Sequence, residues 1–361
     1  MALRPTTVAL VHPDAVVRQQ LEQTLRNAGL EPVASVAELA LADAALAPRW
    51  PDVIVAAATL PGLPAFLDLL LAQHPTPVVV SHDPADSGDA AVLALAHGAV
   101  DVVTCARTPH LDATPAAAVA ATVRGAALAR VASSDWPESP TVPAPLAEPG
   151  QATDAFAPTA PGELDLPLGD AQRVAVLVAG TGAVPALEPL LMALPRQVPP
   201  LVVLQPLDVG LSLAWARRLN RRCAPMVAVA GPGAVLAPGR VLLVPGGVPA
   251  LLEPRGLNLT LEFDHEAERA SEDTVADGLL TSLAAQAGPH ALAVLMTGAG
   301  TDGARGLLAV REAGGHTAVQ DDRSCSVPSR VREALRLGAA SQPLTPSLLA
   351  AWLVAPHTTS V

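Results

Sequence analysis

Short runs of Val, Leu, Ile and Ala, each followed by a turn and a helical pattern, constrain this chain more than any other feature. TVALV (7–11) precedes the amphipathic stretch VVRQQLEQTLRNAG (16–29), which stops on Gly29. DVIVAAA (52–58), TPVVVS (76–81) and VDVVTC (100–105) repeat the run. Between and after them lie the helical patterns AFLDLLLAQH (65–74), AAVLALAHG (90–98) and AAAVAATVRGAALARV (116–131). Runs that are apolar at every position, not at every second one, suit strands covered on both faces. Strands alternating with helices predict a parallel sheet with helices on both sides.

The same grammar returns after residue 170. VAVLVAG (174–180) reads as a strand, then a glycine turn and the helix PALEPLLMAL (185–194). LVVLQ (201–205) is a strand, and LSLAWARRLNRRC (211–223) a helix with a basic end. RVLLVPGG (240–247) leads into expected hairpin strands around ALLEP (250–254) and LNLTLEF (257–263). A helix over Thr274–Ala287, the strand ALAVLMT (291–297) and the helix DGARGLLAVREAGG (302–315) follow. HTAVQ (316–320) and the helix VPSRVREALRLGAA (327–340) close the pattern. The reading is α/β, two doubly wound parallel-sheet domains, with ligands expected at the carboxyl ends of the strands.

Between the two lies Ser133–Asp170, rich in Pro, Ala and acids and without either periodicity. It reads as a disordered linker. The expected domains are therefore 1–132 and 171–356, joined by the linker 133–170.

Composition narrows the function. The net charge of −12 argues against nucleic acid, which needs a basic surface. No uninterrupted apolar run reaches the ~18 residues of a membrane helix, so membrane insertion is not expected. The apolar stretch near the N-terminus is too short for a signal-peptide core. The cysteines Cys105, Cys223 and Cys325 are far apart and odd in number, which suggests reduced thiols in a cytoplasmic protein. The histidines lack metal-ligand spacing, so neither a metal nor a cofactor is expected.

Several blocks carry a resemblance. In order come VAVLVAGTGAVPAL, LVVLQPLD, ARRLNRRC, LAPGRVLLVPGG, AVLMTGAGTDGARGLLAVREAGGHTAVQDDRSC and REALRLGAA. This second unit is similar to the catalytic domain of the chemotaxis protein-glutamate methylesterase (CheB) family. That family carries G-A-S-T-G-G, Q-H-x-P and T-G-M-G-x-D-G-A-x-G-L, the last followed by A-Q-D-x-x-S-C. PDVIVAAATLPGL (51–63), TPVVVS and HGAVDVV (97–103) resemble a phosphoacceptor receiver domain. The resemblance implies hydrolysis of glutamyl methyl esters on chemoreceptors, gated by phosphorylation. The implied partner is the cytoplasmic methylation region of a chemoreceptor or another chemosensory protein.

Ester hydrolysis of this kind needs a hydroxyl nucleophile, a base and an orienting acid. On the family pattern the serine position is Gly180, the histidine position Pro206 and the acid Asp302. Only Asp302 survives. Glycine offers no nucleophile, and proline has neither a titratable group nor an N–H. The turn Gly180, Thr181, Gly182 and the turn Gly298, Ala299, Gly300 remain as an expected oxyanion- or substrate-binding surface. Thr181, Ser212, Ser324 and His316 are the candidate replacements; each reads more simply as turn, helix or surface chemistry. The family's G-M-P loop corresponds to Ser329, Arg330 and Val331.

The receiver pattern is depleted in the same way. The phosphoacceptor falls on Ala57, the metal-binding acidic pair on His12 and Pro13, the lysine on Cys105 and the hydroxyl switch on Ser81. No phosphorylation and no bound metal are expected, and Asp14 reads as a helix N-cap. The expectation is a pseudo-receiver joined to a catalytically inactive methylesterase-like domain. The alternatives are a residual or rebuilt methylesterase/deamidase, and dinucleotide binding through Gly298–Gly303 (GAGTDG). The latter matches GxGxxG with Asp321 downstream, although that fingerprint ordinarily sits on the first strand of its domain.

Overall fold

A computed structural model describes residues 4–105, 113–131, 173–246, 249–263, 274–340 and 343–357. The chain separates into two compact units, Met1–Thr141 and Val142–Val361. The expected linker 133–170 lies outside the described residues.

The first unit runs β1 (Thr7–Val11), α1 (Ala15–Asn27), β2 (Glu31–Val36), α2 (Ala42–Leu46), β3 (Val53–Ala57), α3 (Leu63–Gln73), β4 (Val78–His82), α4 (Asp89–Ala96), β5 (Asp101–Thr104) and α5 (Ala113–Ala127). Its five strands are parallel in the order β2-β1-β3-β4-β5. Every residue of β1, β3 and β4 is buried, which is why their sequences are apolar throughout or nearly so. Asp14 caps α1, its Oδ1 accepting from the amides of Val16 and Val17 at 2.8 and 3.2 Å. Gly29 ends the helix in the left-handed region at φ +76°. Val17, Leu21 and Leu25 of α1 pack with Val8 and Leu10 of β1 and Val123 of α5 to form the core.

Two features here were not expected from sequence. β2 (EPVASV) is an edge strand, half-buried along most of its length, with a register irregularity against Val8 and Ala9. Edge placement tolerates Pro32, which a central strand would not. α2 is one short turn of helix before β3.

The second unit runs β6 (Val174–Val178), α6 (Val184–Met192), β7 (Leu201–Leu204), α7 (Val209–Asn220), β8 (Met226–Val229), β9 (Ala234–Val235), β10 (Arg240–Val244), β11 (Ala250–Arg255), β12 (Asn258–Phe263), α8 (Val275–Ala287), β13 (Ala291–Leu295), α9 (Ala304–Glu312), β14 (His316–Gln320), α10 (Ser329–Arg336), β15 (Pro343–Leu344) and α11 (Pro346–Val354). A seven-stranded parallel sheet has the order β15-β14-β13-β6-β7-β10-β8. The expected hairpin is β11–β12, which with β9 forms a separate antiparallel sheet. The chain leaves β6 toward β7 on one side and returns to β13 on the other. The carboxyl ends of β6 and β13 therefore flank the point where the winding reverses, the place such sheets use for ligands. Beneath it, Val176 and Val178 pack with Ala293, Leu295, Leu280 and Leu307. No helix among the described residues is long and apolar enough to cross a membrane.

Candidate active site and its receiver-like counterpart

The chain after β6 turns sharply through Gly180, Thr181 and Gly182 into α6. Gly182 has φ +74°, and a Cβ there would lie 2.4 Å from the Cβ of Ser326, so both backbone conformation and space demand glycine. The chain after β13 makes a parallel turn. Thr297 ties the two together: its Oγ1 accepts from the Val327 amide at 2.8 Å and lies 3.2 Å from the Thr181 carbonyl. Its own amide donates to Oε1 of the buried Gln320 at 3.0 Å. Ser326 and Ser329 donate to the carbonyls of Gly182 and Gly298 at 3.3 and 3.1 Å. The loop before α10 is thus fastened across both glycine turns.

One side chain dominates the crevice between them. Arg330, the second residue of α10, is only 9% exposed. Its Nη1 donates to the Ala179 carbonyl at 3.3 Å and its Nη2 to the Ala299 carbonyl at 3.4 Å. A Cβ on Gly180 would meet those two nitrogens at 3.3 and 3.4 Å, and one on Gly298 would come within 2.7 Å of Cζ. The guanidinium therefore lies over the position that a serine side chain at residue 180 would enter. Burial lowers the pKa of Arg330, while Asp302 and Asp277 oppose that shift. Its Nε is buried without a hydrogen-bond partner. In the sequence Arg330 stands out only as a departure from the family loop. The available signal was its place on the buried face of α10 with Val331 and Ala334.

Asp302 has a structural role in this arrangement. Its Oδ2 and Oδ1 accept from the amides of Ala276 and Asp277, each at 2.9 Å, at the start of α8. Thr274, the residue before that helix, supplies no side-chain cap. Asp277 returns the contact, its Oδ1 accepting from the Gly306 amide of α9 at 2.6 Å. Each aspartate thus caps the other's helix. Burial raises the pKa of Asp302 and the Asp277 charge adds to this, while the two amides and Arg330 act the other way.

Pro206 follows β7 and is exposed. The neighbouring Gln205 is buried, its Nε2 3.5 Å from the Gly180 carbonyl and its Oε1 without a partner. The possible replacements are dispersed. Ser212 is buried in α7 and donates to the Leu207 carbonyl at 3.1 Å. Ser324 lies 2.5 Å from the Asp321 carboxylate. His316 begins β14, at the opposite end of the sheet from the glycine turns, and stacks on His357 at 4.7 Å. Thr181 alone adjoins Gly180. Asp321, the acidic residue downstream of the GxGxxG match, also accepts from the amides of Arg323 and Ser324 at 3.1 Å each. A Cβ on Gly303 would strike Leu295 at 2.8 Å and one on Gly298 would strike Arg330, so internal packing accounts for two of the three glycines, while Gly300 has φ +75° and open space around it.

The first unit brings its sequence-identified positions together. His12, Pro13, Ala57, Ser81 and Cys105 all line one cleft of about 200 Å³ at the carboxyl ends of the strands. Asp14, Asp83 and Asp86 border it as well. Burial, reinforced by the Asp83 charge, pushes the Cys105 thiol up to about 12, so it stays protonated and unreactive. No lysine occurs anywhere in the chain, so the phosphoryl-contacting lysine of a receiver has no substitute of its own type. Among the described residues no group of three His, Cys, Asp or Glu is arranged to hold a metal ion.

Comparison with known proteins agrees with the geometry. The family model for CheB methylesterase matches residues 175–353. Protein-glutamate methylesterase/protein-glutamine glutaminase 2 of Hahella chejuensis is 35% identical over 343 residues, covering 94% of this chain and 92% of that protein. The chain belongs to the CheB family. A second relative, protein-glutamate methylesterase/protein-glutamine glutaminase 5 of Anaeromyxobacter dehalogenans, is 35% identical over 94% of each chain. The crystal structure of the Thermotoga maritima CheB methylesterase catalytic domain aligns with a TM-score of 0.48 at 25% identity, covering 50% of this chain and 97% of that one. The N-terminal unit of this CheB-family chain is receiver-like, with the strand order β2-β1-β3-β4-β5 of doubly wound sheets of that kind.

Proposed function

We propose that this CheB-family protein acts in the cytoplasm, in a chemosensory or pilus-motility pathway. It binds the methylation region of a chemoreceptor, or another chemosensory protein, without hydrolysing glutamyl methyl esters. In this reading a pseudo-receiver (1–132) and a degenerate methylesterase domain (171–356) are joined by the linker 133–170. The observation that carries it is the Arg330 guanidinium lying over Gly180, where the family pattern calls for a nucleophile. Pro206 at the base position and the use of Asp302 as a helix cap support it further. Loss of a triad nucleophile or base typically costs on the order of 10⁶-fold in turnover.

The second reading is a working methylesterase or glutaminase, favoured by the names of the relatives and by the presence of Asp302. Methanol release from methylated chemoreceptor signalling fragments separates the two. The full-length protein is expected to release none above background beside an active family member. Release at a rate within a few orders of that control would overturn the binding role.

A further inference from the structure

Charge is unevenly distributed along the second unit. Between Glu188 and Glu253 the sequence holds six arginines and one acid, Asp208, in a chain of 22 basic and 34 acidic residues. The fold gathers the arginines and sets the acid apart. Asp208 caps the start of α7, its Oδ1 accepting from the Leu211 amide at 2.8 Å. Arg217 and Arg218 lie in the last turn of that helix, about 15 Å further along its axis. Arg221 and Arg222 follow directly.

Contacts at the amino ends of β7, β8 and β10 bring the others in. The Val227 amide of β8 donates to Oδ1 of Asn220 at 2.8 Å, which fastens the last turn of α7 to that strand. Met226 pairs in register with Arg240 of β10, whose Nη2 lies 4.0 Å from the methionine Sδ. The Gly239 amide donates to the Val198 carbonyl at 2.8 Å, and a Cβ on Gly239 would lie 2.9 Å from the Arg196 carbonyl. Arg196, Arg221, Arg222 and Arg240 therefore border one surface, with Met226, 55% exposed, among them.

The positive charge there is balanced only in part. The buried Glu188 carboxylate serves both Arg218, at 2.9 Å, and Arg222, so one charge is left over. Arg217 is already engaged and is not counted. Arg196 and Arg221 are exposed, and their guanidinium groups have no hydrogen-bond or ion-pair partner among the described residues. Asn220 further restricts how a partner attaches. β8 is the edge of the sheet, but the Asn220 side chain occupies both the N–H and the C=O of Val227, which opposes the addition of another strand. Recognition is left to side chains: guanidinium groups that pair with carboxylates, and a soft thioether between them. The surplus of acids elsewhere in the chain repels an extended polyanion, which disfavours nucleic acid and anionic lipid.

We propose that this surface, at the end of the sheet opposite the Gly180 crevice, docks an acidic segment of a partner protein, its carboxylates pairing with Arg196, Arg221 and Arg240. It is a second contact region and does not depend on whether glutamyl esters are hydrolysed.

The test is fluorescence anisotropy of a labelled glutamate–alanine peptide titrated with the full-length protein, beside a glutamine–alanine peptide of the same length. Saturable binding of the glutamate peptide alone is expected, weakening as salt is raised. Arg196→Glu and Arg221→Glu are each expected to weaken it by about tenfold, through loss of an exposed pair and the repulsion put in its place. Should one of these variants fail to fold, the other decides. Arg305→Glu, the same change of charge at an exposed position of α9, is expected to leave binding unchanged. The proposal is overturned if the glutamate peptide does not bind at about 1 mM, a weak-affinity limit. Equal weakening by Arg305→Glu overturns it as well, as does equal binding of the glutamine peptide. Single-stranded DNA or anionic vesicles binding more tightly than the glutamate peptide would also overturn it.

Discussion

On the family patterns, each unit has a different residue at the positions expected to carry its chemistry, and the two sites differ physically. In the first, Ala57 stands where an acceptor carboxylate is expected, and the cleft in front of it keeps about 200 Å³ of space. In the second, Gly180 stands where a nucleophile is expected, and Arg330 from α10 covers the position. A reversal point in a parallel sheet is concave because the connecting chains diverge there. Whether it stays open depends on what the surrounding elements project into it. The first site retains room for a ligand at its floor; any partner of the second must meet its outer surface or displace a buried guanidinium.

The largest expected effect tests whether that covering matters. Gly180→Ser combined with Pro206→His restores the named nucleophile and base. It is expected to leave methanol release at background, recovering none of the roughly 10⁶-fold that separates a triad from its knock-out. Release that appears only when Arg330→Ala is added would sharpen the contrast between the sites. Release from the double variant would break it, making both regions simple losses of a side chain.

A middle-sized effect concerns the packing itself. Gly298→Ala places a methyl 2.7 Å from Cζ of Arg330 and is expected to destabilise the protein by about 1–3 kcal/mol in urea titration. In an Arg330→Ala background the same substitution is expected to cost less than about 0.5 kcal/mol, because its steric partner is gone. Equal costs in both backgrounds would mean that the guanidinium moves aside freely.

The smallest effect lies away from both sites. His316 stacks on His357, which also meets Trp352 edge-on at 4.6 Å. Burial lowers the pKa of His316, with the charges of His357 and Arg173 adding to it. His357 is lowered by burial and by Arg173, against its contact with the Trp352 carbonyl. Unfolding therefore takes up protons as these groups return to their ordinary value. The stack's contribution is full above 6.5 and is lost as pH falls through the folded values. Thermal melts from about pH 7 to about pH 5, across the range where histidine titrates, are expected to show a shallower loss in His316→Gln than in the wild type.

Legibility followed burial. TVALV, DVIVAAA and LVVLQ announce themselves because β1, β3 and β7 are central strands with covered faces. EPVASV and MVAV do not, since β2 and β8 are edge strands and part of each faces away from the core. α11 was also missed; its apolar sequence shows little amphipathic contrast to mark a helix. Within the sites, Gly180, Pro206 and Ala57 were readable as departures from a spacing pattern. Arg330 was visible as a residue but its role was not. That role depends on α10 meeting the end of β6 across 151 positions of sequence.

The reciprocal capping by Asp302 and Asp277 bears on how much a surviving motif can testify to. Opening the first turn of α8 strips Asp302 of its partners, and displacing Asp277 in turn exposes the start of α9. The two helices thus share a common opening event instead of fraying separately. Replacing Asp302 would loosen a helix pair whatever its effect on chemistry. The cap thus gives Asp302 a role in the scaffold that depends on no reaction.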